Sequence, residues 1–290
     1  MPVDDLFTKL EGAYAENTLR AYRADFSRFH DWCSSQRLDP LALAEEDFVR
    51  YVDFLSLTRR SATVRRQVAS ISTVLRLNEA ADVTRRAGVV LAMRRMYRQK
   101  GRAQAQALPL TVDILEQLLG ACDDSMHGLR DQLLLRLGYE TMRRRAELCA
   151  FRFEDLETLP NGRAALRLRY SKTDQYGVGK LIPISPTLLA LIERWGSLVG
   201  SHGYLLRGLH RSGAIGSDLA PASVNRRLQA LQAAAGIELD GQLSGHSFRV
   251  GRALDLLEEG ESLEKIMLRG GWEAESTVIR YLRAWQAASC

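Results

Sequence analysis

The sequence predicts a mainly α chain with a small β element: an all-α N-terminal bundle followed by a mixed α+β domain. Three observations carry this. Apolar residues recur at steps of three and four in successive segments up to about residue 99. Periodicity then lapses over residues 99–107, a polar, small-residue stretch ahead of Leu108 and Pro109. Beyond it, helical patterns surround one pair of alternating segments, ALRLRY and KLIPIS, as expected of a β-hairpin.

Taken in order, Asn17 is placed to cap a first helix whose Leu19, Tyr22, Phe26, Phe29 and Cys33 share a face. A second helix over 45–57 turns Phe48, Val52 and Leu55 inward. Ser61 caps a third, with a stripe of Val64, Val68, Ile71 and Leu75 opposite Arg65 and Arg66. A fourth over 84–99 buries Val89, Met93 and Met96 and leaves Arg94 and Arg95 outside. Short connections make these a small bundle. After the linker, helices are expected at 111–122 and 128–139, with the tract from Thr141 continuing helically to about Phe151. The hairpin spans 164–170 and 180–185 around the loop SKTDQYGVG, and helices follow at 186–199 and 222–235. Val250, Leu254 and Leu257 keep helical spacing after His246. Gly270 and Gly271 interrupt the chain before Trp272, and Ser276 or Thr277 is placed to cap a last helix carrying Tyr281.

At 290 residues two domains are expected, divided as 1–98, a basic linker 99–108, and 109–290. No apolar run reaches membrane-spanning length and the N-terminus lacks a signal-peptide pattern, so a cytoplasmic protein is expected. Cys33, Cys122, Cys149 and Cys290 show neither a C-x-x-C pair nor zinc spacing, and no G-x-x-x-x-G-K-[ST] phosphate loop occurs. Neither a metal site nor a cofactor is predicted.

The formal net charge of +5 conceals an asymmetry. Residues 1–58 carry 6 basic and 11 acidic side chains, residues 59–102 carry 12 and 2, and from 103 onward there are 22 of each. Such an excess of one sign on predicted helices is the footprint of a phosphate-backbone binder. Arg59, Arg60, Arg65, Arg66, Arg85, Arg86, Arg94, Arg95, Lys100 and Arg102 are the candidate nucleic-acid-binding residues. Lysine occurs only at 9, 100, 172, 180 and 265, and every other basic residue is arginine. Lysine can give up its proton in a tuned site whereas arginine effectively cannot, so each remaining lysine invites a chemical reading.

His246 and Arg249 are three apart, which on a helix puts them on one face; so are Arg144 and Glu147. A histidine, an arginine and a tyrosine on successive short helices suit an activated hydroxyl facing an anion. In chain order the candidates are Arg144, Glu147, Lys172, His246, Arg249, Trp272 and Tyr281. This ordered set, with SGHSFRVGRALDL, IMLRGGW and nine residues from Trp272 to Tyr281, resembles the tyrosine recombinases, or phage-integrase family, and most of all its Cre-type members. The resemblance spans nearly the whole chain, including the helical N-terminal domain and the basic linker.

The resemblance implies a core-binding helical domain and an α+β catalytic domain that together embrace duplex DNA at a specific target site. It further implies conservative site-specific recombination through a 3′-phosphotyrosyl intermediate and Holliday-junction strand exchange, by a homotetramer on two DNA sites, without metal or ATP. Arg144 and Arg249 would hold the non-bridging oxygens, Tyr281 would attack, and His246 would help the phenol ionise. Lys172 would protonate the leaving 5′ oxygen, and Glu147 would orient Arg144 or His246. Trp272 stands where most members have histidine; its indole N–H donates a hydrogen bond but cannot shuttle a proton. Arg143 and Arg145 flank Arg144, and the three-residue step to Glu147 selects Arg144. Lys180 is the alternative to Lys172, which the SKTD context favours. His202 and His210 read as surface residues. Residues 282–290 are shorter than the terminal helix that Cre-like relatives dock on the next subunit, so that docking is expected to be weaker or to use another segment. Two other readings share part of this pattern: type IB topoisomerase-like relaxation, and a non-catalytic DNA-binding factor of the same fold.

Overall fold

The computed structural model describes residues 5–101, 106–170, 179–210, 212–276 and 278–279. The chain divides into two compact units, Met1–Ala105 and Gln106–Cys290. Each has its own apolar core.

The first unit is helical. A short α1 (Asp5–Thr8), which the sequence does not announce, inserts Leu6 and Phe7 into the core. Then come α2 (Glu16–Ser35), α3 (Glu45–Thr58), α4 (Ser61–Leu77) and α5 (Ala87–Lys100), with a 3-10 turn at Val83–Arg85. Helix α2 packs on α4, and α3 on α5. Phe26, Phe29 and Phe48 are fully buried and meet edge to face, Phe26 and Phe29 with ring centroids 5.7 Å apart. Each such burial stabilises the unit by about 1.5–3 kcal/mol. Asn17 is not the cap: α2 begins at Glu16 after Ala15, and the Asn17 side chain accepts instead from Arg20 at 3.0 Å. The fourth helix starts later than its periodicity suggests, because Asp82 caps the 3-10 turn by accepting from the Thr84 N–H.

The second unit is built round α7 (Met126–Thr141), buried on nearly every side as befits a helix enclosed by others, with Arg130 and Asp131 buried as an ion pair. Ser125 caps it through Gly128. Around it stand α6 (Val112–Gly120), α8 (Arg145–Ala150), α9 (Pro186–Val199), α10 (Pro221–Ala234), α11 (Ser247–Glu258) and α12 (Leu263–Gly270). Pro186 and Pro221 open their helices, where a missing N–H costs nothing. The sheet has three antiparallel strands in the order β1 (Leu156–Thr158), β2 (Ala164–Leu168), β3 (Lys180–Pro183). Leu166 is the register point, opposite Leu156 on one side and Ile182 on the other. The three-residue β1 is too short to show alternation and was not anticipated.

Two expectations are corrected here. The tract from Thr141 is not one helix. Helix α7 ends at Thr141, Met142 adopts a left-handed conformation (φ 54°), and a separate short α8 begins at Arg145. The break turns Arg143 inward and makes Arg144 the N-cap of α8. Likewise Ser276 lies within a helical turn that has begun by Glu275, so it is not a cap; Thr277 is outside the described residues.

Helix α11 is held closely. Its Phe248 ring lies against Gly138 of α7, where a Cβ would fall 2.5 Å from the ring. Gly251 faces the Leu110 backbone, where a Cβ would fall 1.8 Å from the carbonyl oxygen. Buried Asp255 accepts from the Val112 N–H at 2.9 Å and from the Tyr139 hydroxyl. Among the described residues no helix is long and apolar enough to cross a membrane.

Candidate active site

Five of the seven candidate residues are described, and the second unit brings them together. Lys172 and Tyr281 lie outside the described residues.

Arg144 and Glu147 meet at the start of α8, where both hydrogen bonds run from Arg144 to the Glu147 carboxylate. Glu147 Oε1 accepts from Arg144 Nη1 at 2.8 Å, and Oε2 from the Arg144 backbone N–H at 3.2 Å. The Glu147 side chain is 7% exposed and that of Arg144 32%. The carboxylate thus fixes a guanidinium that still reaches solvent. The three-residue step is real, although it spans a helix start rather than a helix face.

His246 and Arg249 open α11. The Ser244–Ser247 turn sets its entry: the His246 N–H donates to Ser244 Oγ at 3.3 Å, and the Ser244 N–H to Ser247 Oγ at 2.9 Å. Asn225 of α10 accepts from the Gly245 N–H at 2.9 Å and ties this turn down. Arg249 is 1% exposed. Its Nη1 donates to the Met142 carbonyl at 2.6 Å, and its Cζ stands 4.5 Å from the centroid of the Trp272 ring. A carbonyl and an aromatic face are what make a buried guanidinium tolerable. The left-handed turn at Met142 therefore aims an acceptor at Arg249.

His246 is half-buried. Burial depresses its pKa, and the charges of Arg249 and then Arg144 push it further below the ordinary histidine value. Its imidazole is consequently neutral near pH 7 and able to accept a proton. Both guanidiniums thus act on the same imidazole through their charge. The arrangement suits an anion held by Arg144 and Arg249 beside a neutral base.

Two cations that sequence reasoning passed over also stand near here. Arg143, set aside as a neighbour of Arg144, is 2% exposed; its Nε donates to the Thr141 carbonyl at 2.7 Å and its Nη2 to the Arg269 carbonyl. Burial lowers its pKa to about 10, which leaves it charged. Lys180, the alternative to Lys172, donates from Nζ to the Leu268 carbonyl. No local pattern distinguishes Arg143 from Arg145; only the distant carbonyl does.

Of the ten candidate DNA-binding residues, nine are described, all exposed and all in the first unit; Arg102 is outside the described residues. Arg66 pairs with buried Asp25, and Arg85 Nε lies 3.3 Å from Asp82 Oδ2. Arg59, Arg60, Arg65, Arg86, Arg94, Arg95 and Lys100 project from α4, α5 and the segments that precede them.

The comparisons with known proteins agree on one family. The phage integrase family model matches residues 109–287, well over half the chain. The chain belongs to the phage integrase family of tyrosine recombinases. It is 30% identical to an integrase/recombinase XerD homolog of Selenomonas ruminantium, over 94% of this chain and 83% of that one. Recombinase Cre of Escherichia phage P1 is 25% identical, over 93% and 85%. Among solved structures, a lambda integrase dimer bound to a COC′ core site shares the fold with a TM-score of 0.68 at 17% identity, covering 97% of this chain and 75% of that one. A XerH post-cleavage complex on palindromic difH gives 0.63 at 16% identity, over 93% and 79%. The protein is a site-specific tyrosine recombinase, and its mainly helical fold with one small antiparallel sheet is that of the integrases.

Proposed function

We propose that this recombinase cuts and rejoins duplex DNA at a specific site by two transesterifications, with Tyr281 as nucleophile. The phenolic oxygen attacks the scissile phosphorus, the bond from phosphorus to the 5′ oxygen breaks, and a 3′-phosphotyrosyl link conserves the bond energy. His246 takes the phenolic proton and Lys172 supplies one to the departing 5′ oxygen. Arg144 and Arg249 hold the non-bridging oxygens as charge builds on them, so neither metal nor ATP is required. Glu147 steadies Arg144, and the Trp272 ring braces Arg249. Religation by the 5′ hydroxyl of a partner strand reverses the step. It yields a Holliday junction when four protomers hold two sites in cyclic contact. The residues of 1–98 and the basic linker 99–108 supply phosphate contacts, and 109–290 does the chemistry in the cytoplasm.

The observation that carries this reading is the pair of guanidiniums beside His246, Arg249 stacked on Trp272 and Arg144 fixed by Glu147, whose charges favour the neutral imidazole. A nicked cognate duplex that traps the covalent intermediate tests it. Wild-type protein should form the adduct in excess chelator without ATP, and Tyr281→Phe should bind the duplex without forming it. A normal adduct yield in Tyr281→Phe, or a requirement for magnesium, refutes the corresponding part.

A further inference from the structure

Helix α12 ends one residue before Gly271 and two before Trp272. A helix C-terminus leaves carbonyls without intrahelical donors and carries the negative end of the dipole. Two cations from separate parts of the unit meet this end. Lys180, the first residue of β3, donates to the Leu268 carbonyl, and Arg143, from the break between α7 and α8, donates to the Arg269 carbonyl. Arg143 also lies against the turn itself, since a Cβ on Gly271 would fall 3.0 Å from its Nη1. Gly271 is left-handed (φ 65°), and a Cβ on Gly270 would fall 2.0 Å from the Trp272 ring. The turn is therefore packed on both sides, by Arg143 on one and Trp272 on the other.

We infer that Arg143 and Lys180 are positioning residues: a cationic clasp on the C-terminal carbonyls of α12 that sets the turn leading to Trp272 and onward to the nucleophile. This rests on the reading of Tyr281 given above. The clasp connects three parts of the site. Arg143 is covalently next to Arg144, Lys180 ties in the sheet, and Trp272 beyond the turn carries the face on which Arg249 stacks. Neither cation need touch DNA for this. Two like charges side by side are unfavourable unless each has its own acceptor, and the two carbonyls provide one each. Burial and then the Arg143 charge depress the Lys180 pKa, consistent with two cations held side by side.

Lys180 is half-buried and its replacement leaves the core intact, so Lys180→Met is the primary test, with Lys180→Arg as the conservative variant and Arg143→Leu as the second site. Two quantities are measured on the full chain: hydrogen exchange at the Gly271 and Trp272 amides, which close the helix end, and single-turnover adduct formation alongside DNA affinity. Lys180→Met should speed exchange there about tenfold, the effect of losing one charge-assisted hydrogen bond. It should slow adduct formation about 10- to 100-fold at unchanged affinity, as expected of a displaced reacting group. Lys180→Arg should restore both. Unchanged exchange in Lys180→Met overturns the clasp. Faster exchange with normal adduct formation overturns its positioning role. Should wild-type protein form no adduct at all, the reading of Tyr281 fails instead, and exchange alone judges the clasp.

Discussion

The guanidinium of Arg249 lies over the Trp272 ring, with 4.5 Å between Cζ and the ring centroid. Both side chains are buried, and they come from opposite sides of α12 in the sequence. The contact gives Trp272 a task that needs an aromatic face rather than a titratable ring. Trp272→Phe keeps an aromatic face, though a smaller one, and loses the indole N–H. It should retain cleavage within about tenfold, whereas Trp272→Ala should lose about 30-fold or more at nearly unchanged affinity, the size of a desolvated cation–π contact. Single-turnover cleavage on a nicked duplex reads both. Equal losses in the two variants would mean that the indole N–H, not the ring face, is what matters.

His246 makes a pH prediction. Burial and the neighbouring arginines lower its pKa, so the neutral base persists to lower pH than in a free histidine. Cleavage should rise with pH through a midpoint below about 6.5. Arg144→Met removes one of the depressing charges and should move the His246 midpoint upward. The imidazole carbon resonance can be followed by NMR whether or not that variant cleaves. The sign for folding is also set: the unfolded chain binds this proton more readily, so the contribution of His246 to stability is lost as pH falls below the unfolded value. An unmoved midpoint in Arg144→Met would show that the two groups do not feel each other.

How far the site could be read in advance depends on the scale of the signal. The stripe of Val64, Ile71 and Leu75 on α4 is written at a single period, and those residues are buried as expected. His246 and Arg249 share one turn because their spacing is local. Met142 is different. Nothing in TMRRRAEL marks a methionine for a left-handed turn, since that conformation is imposed by tertiary contacts, and the carbonyl it aims at Arg249 was invisible. Arg143 was equally hidden, because its acceptor on Arg269 lies 126 residues away. Composition pointed to a basic surface in the first unit, but the pairing of Arg66 with Asp25 required the fold.

The exposed pair on α5 separates affinity from sequence reading. Arg94 and Arg95 are both exposed on α5, opposite buried Val89 and Met96. Neutralising both should weaken binding to every duplex alike and lower the log–log salt slope by about 1.8, from roughly 0.9 per phosphate contact. Titrations at several salt concentrations, on cognate and unrelated duplexes, give the slope. A constant slope with altered preference at one base pair would instead make these arginines base readers.

Lys172 and Lys180 can be told apart by what they do for the leaving group. If Lys172 is the general acid, Lys172→Ala binds normally and cleaves slowly, because an unprotonated 5′ oxygen leaves poorly. Replacing that bridging oxygen with sulfur removes the need for a proton, since a thiol ionises near pH 8.5, about the value of free cysteine. The sulfur substrate should therefore rescue Lys172→Ala. It should not rescue Arg144→Ala, whose defect lies at the non-bridging oxygens. Lys180 donates to the Leu268 carbonyl, so its loss disturbs geometry and not proton supply. Lys180→Ala should thus be slow on oxygen and on sulfur alike. Rescue of Lys180→Ala with none for Lys172→Ala would exchange their roles and undo the clasp as well. Rescue of neither, with folding and binding intact, would move the proton donor elsewhere, and His246 would be the group to test next.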